Sequence, residues 1–182
     1  MRYVLSLLVG ALSAVPAAAQ TPDLMAKMAA NPVSQTTRIM LEQHAHNMIA
    51  AAELMPADKY GFHPTPAQMT FGQLIAHIVQ TNEFLCSAIA GAPKAPPTSP
   101  TDKDPKEQLV KALKDSFDHC SAALAAVSDA QVAELIPMGP QKAPRVYFMF
   151  GIVADWADHY STQASYLRLN GILPPSAQPP AK

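Results

Sequence analysis

Asp155 and His159, four residues apart in "DWADHYSTQASYLRLNG", are residue types that bind metals and move protons. On a helix such a pair stands on one face, about 6 Å apart along the axis. Phe148, Ile152, Asp155, His159, Thr162, Tyr166 and Leu169 recur in alternating steps of four and three, the spacing of a buried seam. An ionised carboxylate in that seam is costly unless something compensates it. Two compensations are open. Asp155 can accept a hydrogen bond from His159 or a tyrosine hydroxyl, which is a structural role, or a cation can sit between the two side chains. His77 favours the cation, because it shares a helical stripe with Thr70, Leu74, Thr81 and Phe84. Two imidazoles and one carboxylate form an open site for a divalent ion, with positions left for water or substrate.

The remaining candidates are weaker. Asp158 and Arg168 fall off the stripe and read as surface charges. His44 shares a stripe with Leu41 and Met48, which suits a hydrogen-bonded core histidine better than a ligand. His46 points elsewhere on the same turn, His63 lies in the extended "FHPTP", and His119 beside Cys120 specifies nothing. The methionines read as core packing. No Gly-rich phosphate loop, G-x-S-x-G elbow or H-E-x-x-H helix is present. No catalytic residue is assigned.

The elements that must position these residues are marked by proline. Four Pro-free windows separate Pro32 from Pro56, Pro66 from Pro93, Pro105 from Pro137 and Pro144 from Pro174. A helix interior excludes proline, so each window predicts a helix. Ser34 is the expected N-cap of the first, and Thr70 with Gln73 forms a capping box for the second. Asp104, Pro105 and Glu107 give the third its cap, first helical residue and box. "SDAQ" from Ser128 suggests a short extra helix. The last helix starts near Pro144 and ends at Gly171, with prolines beyond. The long linker "GAPKAPPTSPTDKDP" can cross the length of a bundle, so the second and third helices are expected to run parallel. The fold class is all-α, a four-helix bundle with a long crossover.

Residues 1–19 carry Arg2, an apolar run from Val4 to Val15, and small residues at Ala17 and Ala19. This pattern predicts a signal peptide, and with it a periplasmic or secreted protein with no membrane span after cleavage. Residues 20–173 then form the bundle, and 174–182 a disordered, Pro-rich tail. Net charge is −1 and the basic residues are scattered, which excludes a nucleic-acid footprint. The two cysteines, Cys86 and Cys120, match no metal or redox motif. An exported chain permits a disulfide between them, and two buried thiols are the alternative.

Three features together resemble the DinB/YfiT-like superfamily. "YGFHPTPAQMTFGQLIAHI" is similar to the family segment that leads into the second helix and places a histidine there. "DWADHYSTQASYLRLNGILPP" is similar to the last helix, which reads HxxxH, then Gln, then YLRLNG and PP. The order and spacing of the helices fit as well. The resemblance implies an up-down-down-up bundle, often a homodimer, with a divalent metal (Zn, Ni, Mn or Fe) between the second and fourth helices. The implied ligands are His77, Asp155 and His159, with Asp155 where the family has histidine. Branches of the family transfer thiol cofactors or isomerise through them, and others are read as hydrolases. The expectation is an exported metal-dependent hydrolase or transferase acting on an unidentified small molecule. A non-catalytic metal- or ligand-binding bundle, or a metal-free scaffold, is the alternative.

Overall fold

The computed structural model describes residues 21–91 and 100–179. The expected signal peptide lies outside these residues, as do 92–99 of the crossover and 180–182 of the tail. Five α-helices are described: α1 (Thr21–Ala30), α2 (Pro32–Leu54), α3 (Phe71–Ile89), α4 (Lys106–Ala125) and α5 (Arg145–Leu169). A hairpin of β1 (Leu135–Met138) and β2 (Gln141–Pro144) precedes α5, with Met138 paired to Gln141.

Cross-helix contacts fix the directions of α2 to α5. The start of α2 meets the end of α4 where Arg38 donates to the Leu124 carbonyl, and its end meets the start of α4 where Lys106 donates to the Met55 carbonyl. These two helices are therefore antiparallel. Asn82 meets Ser116 and Cys86 meets Cys120, a constant offset of 34 residues, so α3 and α4 are parallel. His77 meets His159 while Asn82 meets Trp156, so α3 and α5 are antiparallel. The result is the up-down-down-up, all-α bundle, closed over a core that includes Trp156, Phe71, Phe148 and Met48.

Local signals place several helix ends as the sequence suggests. The Thr70 hydroxyl accepts from the Gln73 amide at 3.1 Å, and the Gln73 side chain accepts from the Thr70 amide at 2.8 Å. Ser128 and Gln131 likewise cap a single 3-10 turn, Asp129–Gln131. Gly171 takes φ of +73° just past α5, where a side chain would be strained.

Other ends depart from expectation. Ser34 lies inside the first turn of α2. Its cap comes from Asp129, which accepts from the Val33 amide (2.9 Å), the Ser34 amide (2.8 Å) and the Ser34 hydroxyl (2.7 Å). Asp104 does not cap α4, which begins at Lys106; its carboxylate accepts from the Thr101 amide at 2.7 Å and closes a local turn instead. The extra helix α1 and the hairpin were not expected. Pro137, Gly139 and Pro144 read as breakers, yet Gly139 takes φ of +59° and turns the hairpin. In the tail, Pro175–Ala177 form a 3-10 turn, and the Ser176 amide donates to the Tyr160 hydroxyl at 2.9 Å.

The expected α5 seam is also corrected. Leu169 is 62% exposed, while Trp156, Gln163 and Leu167 are fully buried. On α3, Phe84 is exposed as well. Steps of four and three assume a repeat of 3.5 residues, and a straight helix drifts from it by ~20° per heptad. Over α5 that drift carries Leu169 out of the core. Among the described residues, no helix is long and apolar enough to cross a membrane.

Candidate metal centre

α5 holds Asp155 and His159 on successive turns, and α3 presents His77 to them from the side. All three are half-buried, and each offers a ligand atom within 4.8 Å of the others. The His77 and His159 rings meet edge to face with centroids 4.9 Å apart. His159 Nε2 approaches Asp155 Oδ1 to 3.2 Å, yet neither His159 Nε2 nor Asp155 Oδ2 has a hydrogen-bond partner. The three residues singled out from the sequence are thus brought together by the fold. His77 and Asp155 belong to antiparallel helices, so residues 78 positions apart in the chain share one height in the bundle.

Asp158 falls off the predicted seam. It is largely exposed, but its carboxylate stands 3.7 Å from His159 Nδ1. Burial pulls the His159 pKa down, and the carboxylates of Asp155 and Asp158 outweigh it, so His159 titrates above its usual value. A carboxylate near Nδ1 also favours the tautomer that keeps its proton there, which leaves Nε2 free to ligate.

The sequence patterns above do not single out Asn82, which lies on α3. It is fully buried; its side-chain oxygen accepts from the Trp156 indole at 2.7 Å, and its amide donates to the Ser116 hydroxyl at 3.0 Å. Trp156 follows Asp155 in the chain, so its bond to Asn82 fixes the rotation of α5 beside Asp155. The available signal was an asparagine, a poor helix former, in the apolar run "IAHIVQTNEFLCSAI".

The other histidines separate. His44 is half-buried, with its ring 6.1 Å from the Trp156 ring, and burial lowers its pKa. It falls outside the His77–Asp155–His159 cluster. His46 is exposed, and His63 Nδ1 contacts the Thr65 carbonyl at 2.7 Å. His119 meets the Ser87 hydroxyl at 3.2 Å. A cavity of about 470 Å³ opens beside His77, lined also by Met69, Gln73, Ala76, Gln80 and Asp102. The Gln73 amide donates to Asp102 at 3.1 Å across it. Of the three clustered residues, His77 lines this cavity.

A family model described as the DinB superfamily matches residues 40–159, a span that contains His77, Asp155 and His159. Comparison with curated proteins gives no match. Among solved structures, a DinB-like protein of Bacillus subtilis is similar at 19% identity and a TM-score of 0.65, over 79% of this chain and 98% of that one. A DinB-like protein of Bacillus cereus is similar at 12% identity and a TM-score of 0.61, over 72% and 89%. A variant of a mycothiol-dependent maleylpyruvate isomerase is similar at 15% identity and a TM-score of 0.58, over 70% and 59%. At these identities the likeness concerns the fold.

Proposed function

The chain belongs to the DinB superfamily, and from that membership we propose an exported metal-dependent hydrolase or transferase whose divalent ion is held by His77, Asp155 and His159. One observation carries the reading. Three ligand-type atoms from two helices lie within 4.8 Å of one another, and two of the residues present buried polar atoms with no hydrogen-bond partner. A cation satisfies both atoms at once and offsets the cost of holding the half-buried Asp155 carboxylate. When bound, such an ion polarises a substrate oxygen or lowers the pKa of a bound water.

The chain's own residues do the rest. His77 and His159 bind as neutral imidazoles from opposite helices. Asp155 cancels one of the ion's charges, so the centre is a milder Lewis acid than one with three histidines. Asp158 orients His159 through Nδ1, and Asn82 holds α5 in rotation through Trp156. The cavity beside His77 admits the substrate.

Export rests on residues 1–19, and the Cys86–Cys120 disulfide supports it, since such bonds persist in oxidising compartments. The mature protein then begins at Gln20 and is periplasmic or secreted, which N-terminal sequencing of protein recovered from secreting cells tests.

The metal reading is tested by elemental analysis of protein purified without a His tag, and by melting with added Zn, Ni, Mn or Fe(II). The expected result is a retained ion, or a higher melting temperature with one of these metals. His77→Ala and His159→Ala should weaken binding alike, and Asp155→His should keep it. If the wild type neither retains an ion nor is stabilised by any, Asp155 is a structural partner of His159 and the chain is a metal-free scaffold. Turnover by the loaded protein separates an enzyme from a binding bundle.

A further inference from the structure

The donors open to an ion at this centre are few and of two kinds. His77, Asp155 and His159 each offer one atom, all within 4.8 Å of one another, and among the described residues no further His, Cys, Asp or Glu joins them. The chain's two cysteines, Cys86 and Cys120, are bonded to each other, so no thiolate is left to ligate. Asp158 stands at the other nitrogen of the His159 ring: its carboxylate is 3.7 Å from Nδ1, whereas Nε2 is 3.2 Å from Asp155 Oδ1. The two nitrogens of an imidazole point apart, so Asp158 lies off the side that Nε2 shares with Asp155. Asp102 lines the cavity beside His77, but its carboxylate accepts from Gln73 at 3.1 Å and stays outside the cluster. The donor set is therefore two imidazole nitrogens and one carboxylate oxygen, and Asp155 alone supplies the oxygen.

These two kinds of donor rank divalent ions differently. An imidazole nitrogen gives electron density into a directional bond. That bond is stronger for Ni(II) and Zn(II) than for Mn(II), because the later ions are smaller and accept the density better. A carboxylate oxygen is a hard donor and holds the ion mainly by charge. Its charge attracts every divalent ion in the series nearly alike. Exchanging one imidazole for a carboxylate thus narrows the margin by which the later ions win.

We propose that Asp155 sets the ion selectivity of this centre. Its carboxylate moves the site toward the Mn(II) and Fe(II) end of the series and away from Ni(II) and Zn(II), relative to the same site with three imidazoles. The inference rests on the metal reading and deepens it. The intrinsic order of affinity still favours Ni(II) over Mn(II); what Asp155 changes is the margin between them.

The test measures binding of Mn(II), Fe(II) under argon, Ni(II) and Zn(II) to the untagged, metal-free protein, by competition with a chelator of known affinity. The ratio of the Mn(II) to the Ni(II) dissociation constant should be about tenfold larger in Asp155→His than in wild type. Asp155→Asn keeps the shape and an oxygen but loses the charge. It should weaken all four ions about tenfold or more and leave that ratio near the wild-type value. Asp155→Glu keeps the carboxylate and should keep the ratio, with a lower affinity overall because its reach differs. Circular dichroism of each metal-free variant checks that it is folded. Equal ratios in wild type and Asp155→His overturn the inference, as does an Asp155→Asn protein that binds as tightly as wild type; both leave a metal-binding protein. A wild type that binds none of the four ions defeats the metal reading itself, and the inference falls with it.

Discussion

α3 is shared by two interfaces that treat buried polar groups in opposite ways. Toward α4, Asn82 pairs with the Ser116 hydroxyl, Ser116 donates onward to the Leu113 carbonyl, and a disulfide joins Cys86 to Cys120. Toward α5, one turn from the paired Asn82 and Trp156, His77 meets Asp155 and His159, whose polar atoms remain open. A buried polar atom without a partner costs about 1–3 kcal/mol, and on the proposed reading the open atoms of Asp155 and His159 recover that cost when an ion binds. Under the proposed function, the α3–α4 interface carries stability and the α3–α5 interface carries binding.

The comparison breaks first at the disulfide. Replacing Cys86 and Cys120 together by alanine should lower stability by about 3–4 kcal/mol, because the bond closes a loop of about 34 residues in the unfolded chain. Urea unfolding reads the loss. Metal affinity of the folded variant should stay near that of wild type; an equal collapse of both quantities would erase the distinction between the two interfaces.

Asn82→Ala comes next. It strands the Trp156 indole and removes the donor to the Ser116 hydroxyl, which keeps its bond to the Leu113 carbonyl, and should cost about 2–3 kcal/mol. Its metal affinity should fall too, since α5 loses its rotational anchor. Unchanged affinity would confine Asn82 to a structural role.

Two carboxylates sharpen the contrast further. Asp129 accepts three hydrogen bonds at the start of α2, and Asp129→Ala should cost about 1–2 kcal/mol, as the loss of a helix cap does. Burial raises the Asp129 pKa, but the Ser34 and Val33 amides, the Ser34 hydroxyl and Arg38 outweigh it and hold it below 3.8. With the folded value depressed, the stabilisation is complete above the ordinary carboxylate range and disappears as pH falls through the folded value. Unfolding of wild type and Asp129→Ala should therefore converge in acid and separate as pH rises; a gap independent of pH contradicts the capping charge.

The smallest stability change belongs to Asp155→Leu. It removes a carboxylate with an open oxygen, so melting of the metal-free protein should hold or rise slightly. Metal binding should vanish. In the wild type, a proton competes with the ion for His159, whose pKa lies above 6.5. Metal affinity should then decline as pH falls through that raised value, whereas a flat profile from pH 8 to 5 would remove His159 from the ligand set. A metal-free Asp155→Leu protein that melts far below wild type would instead place Asp155 among the structural carboxylates, beside Asp129.

The sequence by itself determined what acts within a turn or two of helix. Proline spacing set the four long helices, Thr70 and Gln73 capped α3, and Asp155 and His159 shared a face because they are four residues apart. The candidate triad was legible because a carboxylate and two imidazoles beside apolar stripes stand out against the pattern. Tertiary structure decided what depends on neighbours. Asp129 caps a helix 95 residues away, Cys86 finds Cys120, and Asn82 takes Trp156. It also turned Leu169 outward and left Gln163 with an open oxygen inside. Local signals are energies between atoms already close along the chain. Which distant atoms become close is set by the packing of whole helices, and no short stretch of sequence contains that.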